Sequence, residues 1–143
     1  MNQNLIYFPC MAMMILTLTV LLRMFATRVK AVRNGSVDIR YFKTYDMDCT
    51  KSPLMVQAAR NFTNLFEVPT LFYMICVFAL VTQNVSAGIL SAAWIYVALR
   101  VAHSFIHTTN NKIILRMNIY GLSWVVLLYM GLSLGYKIFL QMA

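Results

Sequence analysis

Four stretches of the sequence stay apolar over the roughly 20 or more residues that a helix needs to cross a bilayer. They are residues 5–23, 54–82, 85–107 and 113–141. The first is nearly free of charge, with Pro9 in its opening turns, where proline is tolerated. The second is interrupted by Arg60, Asn61, Asn64 and Glu67, then bent or re-aimed at Pro69. The third holds Arg100 and His103 near its end; the fourth has Arg116 near its start and Lys137 near its finish. Gln83-Asn84 makes a short uncharged connection, and His107 to Asn111 with Lys112 makes a polar turn. Residues 23–53 read as the one substantial polar loop, with Asn34-Gly35 as a turn signal. Short connections place consecutive helices antiparallel, so the pattern predicts an all-α, integral membrane, four-helix up-down bundle, a single domain over residues 1–143.

Composition narrows the class. The chain is 61% hydrophobic and 11% charged, where a soluble domain is about a quarter charged. Its 12 Lys and Arg against 4 Asp and Glu leave a net charge of +8. In a polar chain that excess would suggest nucleic acid. In one this apolar it marks cations held at the anionic cytoplasmic face of a membrane. No nucleic-acid partner is expected, and disorder and a disulfide-stapled secreted module are excluded as well. Cys10, Cys49 and Cys76 are odd in number and form no CxxC pair, so no disulfide framework or zinc knuckle is indicated. The N-terminal run has no basic residue before it and no small-x-small cleavage site, and reads as a retained anchor. Cations outside the spans gather in 23–53 and 107–116, while Met1 to Asn4 and Gln83-Asn84 hold none. The positive-inside rule then puts both termini outside the cytoplasm and both basic connections within it.

Ionisable groups inside a span cost about 2.5–3.5 kcal/mol each near the bilayer centre on insertion scales, so they require a reason. Here they fall into rows. Arg60, Asn64 and Glu67 are spaced i, i+4, i+7, one stripe of the second span. Arg100, His103 and His107 are spaced i, i+3, i+7 on the third, with Asn111 a turn further on and Arg116 opening the fourth. All lie toward the cytoplasmic ends, so they are expected to converge between helices at one depth. Glu67 cannot neutralise Arg60, Arg100 and Arg116 together. An external anion completes the balance, and Glu67 is free to bind an ammonium. The pocket suits a zwitterion with surplus negative charge.

The sequence resembles the MAPEG family, the membrane-associated proteins in eicosanoid and glutathione metabolism. Arg60-Asn61-Phe62-Thr63-Asn64-Leu65-Phe66-Glu67-Val68-Pro69 resembles the family's R-x-x-x-N-x-x-E stripe followed by proline. Arg100-Val101-Ala102-His103, with Arg116 after it, resembles the matching part of microsomal prostaglandin E synthase. N-F-x-N-L-F-E-V-P with H-S-x-I-H-T-x-x-N is closer to prokaryotic members, which implies a bacterial inner membrane. The resemblance extends over essentially the whole chain. It implies a homotrimer binding glutathione as cosubstrate at each subunit interface, open to the cytoplasm. Arg60, Asn64 and Glu67 would hold its peptide and amino group, Arg100, His103 and His107 would line the opposite wall, and Arg116 would stabilise the thiolate. The neighbouring subunit would add a cation from the end of its first helix, Arg28 foremost, with Arg23 or Lys30 as substitutes. The implied chemistry is glutathione transfer to hydrophobic electrophiles, or reduction of lipid hydroperoxides.

The pattern also departs from the family. His107 stands where eicosanoid-making relatives have tyrosine, and Met117 where prostaglandin E synthase has serine, so prostaglandin chemistry is not supported. Two histidines four apart without HExxH, a third histidine or a nearby cysteine make a poor metal site. Trp94, Tyr96, Tyr120 and Trp124 read as interface-belt aromatics and packing, and the methionines as adaptable packing. The basic 23–53 segment meets lipid headgroups. The alternative to an enzyme is an accessory or scaffolding membrane protein of the same fold, whose polar cluster binds lipid headgroups or stabilises an assembly.

Overall fold

The computed structural model describes residues 1–45 and 52–142. Asp46, Asp48, Cys49 and Lys51, which fall in the expected polar loop, lie outside the described residues. A 3-10 turn, Gln3–Ile6, leads into α1 (Tyr7–Arg33); α2 (Tyr41–Thr44), α3 (Pro53–Val81), α4 (Ala87–Thr108) and α5 (Ile113–Met142) follow. The described residues hold helix and no strand. Counting its leading 3-10 turn with α1, that helix, α3, α4 and α5 are each long and apolar enough to cross a membrane.

The first helix does not stop at Arg23, and this corrects the loop expected from there. Arg23 to Arg33 holds no Gly or Pro and is rich in Arg, Ala, Met and Lys, all compatible with helix, so the backbone continues past the apolar run. It ends at the Asn34-Gly35 signal. Gly35 adopts φ 67°, Ser36 N–H donates to the Ala31 carbonyl and Gly35 N–H to that of Val32. These are the paired bonds of a Schellman cap, which requires a left-handed residue where Gly35 sits. Val37 and Met55 then pack on Ala31, tying the connection to the base of α3.

α1 packs chiefly on α3 and α4 on α5, with α3 and α4 joining the pairs. The buried positions recur at helical spacing: Met13 and Val20 on α1, Leu65, Phe72, Cys76 and Ala79 on α3, Ile89, Ala93 and Tyr96 on α4, Leu127, Met130 and Leu134 on α5. Tyr96 is core, stacked on Phe72 with centroids 4.6 Å apart, whereas Trp94 is exposed. α3 continues through buried Pro69, although its ring removes an N–H from the ladder. The outward faces carry Leu18, Leu22, Val77, Ile95 and Leu132, suited to hydrocarbon rather than water.

Polar ties close both ends. At one, Val85 N–H donates to Gln3 Oε1 at 2.7 Å, and Asn84 and Gln141 exchange amide bonds of 2.9 and 3.2 Å. At the other, Arg23 Nη2 donates to the Thr108 carbonyl at 2.6 Å, and the Gln57 amide donates to the His107 carbonyl. Both carbonyls belong to the last turn of α4, where cations and donors satisfy groups the helix itself leaves free.

Candidate functional site

The site is built on the inward stripe of α4. Arg100, His103 and His107 face the interior, with exposures of 0%, 4% and 3%. Arg100 Nη2 donates to the backbone carbonyl of Asn64 at 2.7 Å, while Nε and Nη1 have no partner. The guanidinium carbon sits 5.6 Å from the centroid of the Tyr120 ring. His103 lies beside the same ring at 5.6 Å and 5.9 Å from His107, and neither of its nitrogens has a partner. Removing a charge from water costs several kcal/mol unless pairing returns it. Here the pairing is one carbonyl and one ring face.

Asn64, His103, Arg116, Met117 and Tyr120 line an open cavity of about 180 Å³ contributed by α3, α4 and α5. Arg116 reaches it from the first turn of α5, its Nη1 donating to Asn111 Oδ1 at 2.7 Å. Asn111 takes a left-handed backbone, φ 44°, and thereby closes the connection between α4 and α5. Larger hollows exist. One of about 550 Å³, bordered by Met14, Leu18, Phe62, Phe66 and Tyr73, is apolar. Another, about 450 Å³, holds Arg28 and Arg33 among Phe25, Val29 and Ile39. The smallest of the three has an unpartnered ionisable group, His103, in its lining and another, Arg100, behind it.

The two rows meet only in part. Asn64, Arg100, His103 and Arg116 converge, and His107 lies next to His103. Arg60 and Glu67 are exposed on the outer surface of the subunit, which differs from the full convergence expected. The reason is angular: α3 contacts Arg100 through the backbone of Asn64, so the Arg60–Asn64–Glu67 stripe runs along the edge of the helix pairing. Arg28 is separate again, its guanidinium 5.5 Å from the Phe42 ring and 5.8 Å from that of Tyr45. Arg23 is engaged in capping α4, which argues against it as the substitute for Arg28.

The MAPEG family model matches residues 6–136, which include every residue of both rows and Arg116. The chain belongs to the MAPEG family. No curated protein and no solved structure matches it significantly. MAPEG proteins include glutathione transferases and peroxidases but also non-catalytic members. Membership, together with the apolar helices, makes this a multi-pass integral membrane protein. Among the described residues of this MAPEG chain, no group of three metal-binding side chains occurs.

Tyr120 reads in the sequence as a belt or packing aromatic, yet it is the wall of the cavity that both Arg100 and His103 touch. The sequence does carry a signal for it: Tyr120 stands four residues after Arg116, on the same helix face. Gln57, Asn61 and Ser104 also join the polar interior without belonging to either row. Asn61 is fully enclosed with both amide atoms unpartnered, and the Ser104 hydroxyl is likewise alone.

Proposed function

We propose that this MAPEG protein is a glutathione-dependent transferase or peroxidase acting on hydrophobic electrophiles or lipid hydroperoxides. The observation that carries the reading is the surplus of cation at the cavity. Arg116 lines it, Arg100 lies buried behind its Asn64 and Tyr120 walls with two unpartnered nitrogens, and no carboxylate lines it. An anionic ligand supplies what the chain does not. Glutathione brings two carboxylates, one ammonium and one thiol. Its thiol end fits the cavity beside Arg116, and the remainder extends past half-buried Asn64 to the exposed Arg60 and Glu67, with Glu67 on the ammonium. Exposed Arg60 and Glu67 are suited to a site completed by a neighbouring copy, which we take to be a homotrimer with Arg28 of the next subunit as the added cation. The charge distribution supports an orientation with termini outside and the site toward the cytoplasm, and the resemblance to prokaryotic members supports a bacterial inner membrane.

A free thiol with pKa near 8.5 is mostly protonated at neutral pH, and an adjacent cation lowers that value by about 1–3 units. Arg116 acts by its charge, since a guanidinium does not give up its proton. The thiolate sulfur then forms a bond to an electrophilic carbon as the leaving group departs with its electron pair, or to a peroxide oxygen as the O–O bond breaks, the alkoxide taking up a proton and the sulfenic acid reacting with a second glutathione to give disulfide and water. The hydrophobic partner enters from the bilayer. A second reading, an accessory protein without turnover, is favoured by one contact: Arg116 is already bonded to Asn111 and thereby pins α5 to its connecting turn. Calorimetry of glutathione binding to the purified protein, with ultraviolet thiolate absorbance followed in parallel, separates the two. Binding with a thiolate signal is the expected result; no binding at millimolar glutathione would discard the enzyme in favour of the accessory protein.

A further inference from the structure

A thiol that becomes a thiolate must lose a proton, and the arginines around the cavity cannot accept it. The groups facing His103 are Arg100 and His107 on its own helix, Arg116 and Tyr120 on α5 and Asn64 on α3, with Glu67 outside on the exposed surface. His103 is the one of these that lines the cavity while both its nitrogens are buried and unpartnered, so a small turn of the ring brings one of them to the cavity.

The interior behind His103 also holds polar groups, Asn61 and Ser104, that belong to neither row expected to bind glutathione. Two bonds set the register of antiparallel α3 and α4: Arg100 to the Asn64 carbonyl, and Gln57 to the His107 carbonyl. Asn61 stands midway between Gln57 and Asn64, so it lies level with His103 and Ser104. Asn61 is fully buried with donor and acceptor both unpartnered; Ser104 Oγ and His107 Nδ1 are enclosed and unpartnered too. Each such group costs about 1–3 kcal/mol if nothing satisfies it. Water bridging a few polar groups is the usual satisfier inside proteins. The row leads along α4 to its last turn, where Arg23 and Gln57 donate to the Thr108 and His107 carbonyls.

We infer that Asn61, Ser104 and His107 form a hydrated track inside the subunit, and that this track, entered through His103, carries the thiol proton to the cytoplasmic end. The inference rests on the proposed glutathione site. In the step, the S–H bond breaks and its electron pair stays on sulfur beside Arg116. One nitrogen of His103 takes the proton as the other releases its own to the track. The imidazole ends neutral, with its tautomer exchanged, and a proton reaches bulk solvent.

The test is stopped-flow mixing of the bilayer-reconstituted protein with glutathione, reading thiolate absorbance and, with an indicator dye, the released proton. Ser104→Ala and Asn61→Leu remove the track's polar atoms without touching the cavity lining. Proton-transfer assistance is generally worth about 10²–10⁴-fold, so both signals should appear at least about tenfold more slowly. The final thiolate level and glutathione affinity should stay close to those of the wild type, and imidazole in the buffer should restore part of the rate. Ser104→Ala is the smaller change and decides the matter if Asn61→Leu fails to assemble. Wild-type rates in the variants would overturn the track while leaving the glutathione site intact. Rate and affinity falling together, without imidazole rescue, would reduce these residues to packing. No thiolate in the wild type would sink both this inference and the function beneath it.

Discussion

Replacing Arg100 by methionine asks whether the most enclosed charge in the bundle serves the fold or a ligand. The side chain makes one charged hydrogen bond, 2.7 Å to the Asn64 carbonyl, and one cation–π contact at 5.6 Å to Tyr120. Those are worth about 1.5–3 and about 0.5–2 kcal/mol. Against them stands the cost of holding an ionised group within a span, about 2.5–3.5 kcal/mol on insertion scales. The terms nearly cancel, so without ligand Arg100→Met should melt within a few degrees of the wild type, methionine filling much of the same volume. Glutathione changes the sum. Truncating one partner of an enclosed, hydrogen-bonded charge pair costs about 2–5 kcal/mol. At about 1.4 kcal/mol per decade, affinity should fall at least about 30-fold. Thermal unfolding in detergent reads both effects: glutathione at 100 times its wild-type Kd stabilises the wild type by about 2.7 kcal/mol and should stabilise the variant by about 0.9 kcal/mol or less. A ligand-free variant that is grossly destabilised, yet binds glutathione normally, would refute the reasoning and make Arg100 a structural group.

Other substitutions separate the remaining roles. Glu67→Gln should weaken glutathione about tenfold through loss of a charge-assisted bond to the ammonium, while an analogue without its amine is unaffected in competition calorimetry. Arg116→Ala should abolish the thiolate absorbance and leave the assembly intact by size-exclusion chromatography; a persisting thiolate removes Arg116 from the mechanism. Gly35→Val, at φ 67°, should cost about 1–2 kcal/mol in denaturant unfolding, and Gly35→Asn distinctly less. Arg23→Ala removes the bond to the Thr108 carbonyl and should speed amide exchange in the last turn of α4 with little effect on global stability.

The membrane class, the number of spans, their alternation and the turn at Asn34-Gly35 are all legible in the residues, because each follows from a local quantity. Apolar length decides insertion, and the cost of an intramembrane charge makes every exception conspicuous. That is why Arg60, Glu67, Arg100, His103 and Arg116 stand out from the sequence alone. Local quantities do not say where a helix ends once it leaves the hydrocarbon. Arg23 to Arg33 looks like loop by polarity, yet continues as helix because nothing in it breaks one. Nor does spacing reveal which way a stripe turns. Arg60 and Glu67 share a stripe with Asn64 but remain on the outer surface, since α3 meets Arg100 through the Asn64 backbone. Tyr120 looks like any interfacial aromatic until the pairing of α4 and α5 brings its ring against Arg100 and His103. Asn61 looks like an interruption of an apolar run, and only the register of α3 on α4 encloses it among other unpartnered groups. The sequence by itself determined which residues are too costly to be idle in a membrane. The tertiary structure decided which of them meet, because that depends on the rotation and register of whole helices, which only packing against their neighbours sets.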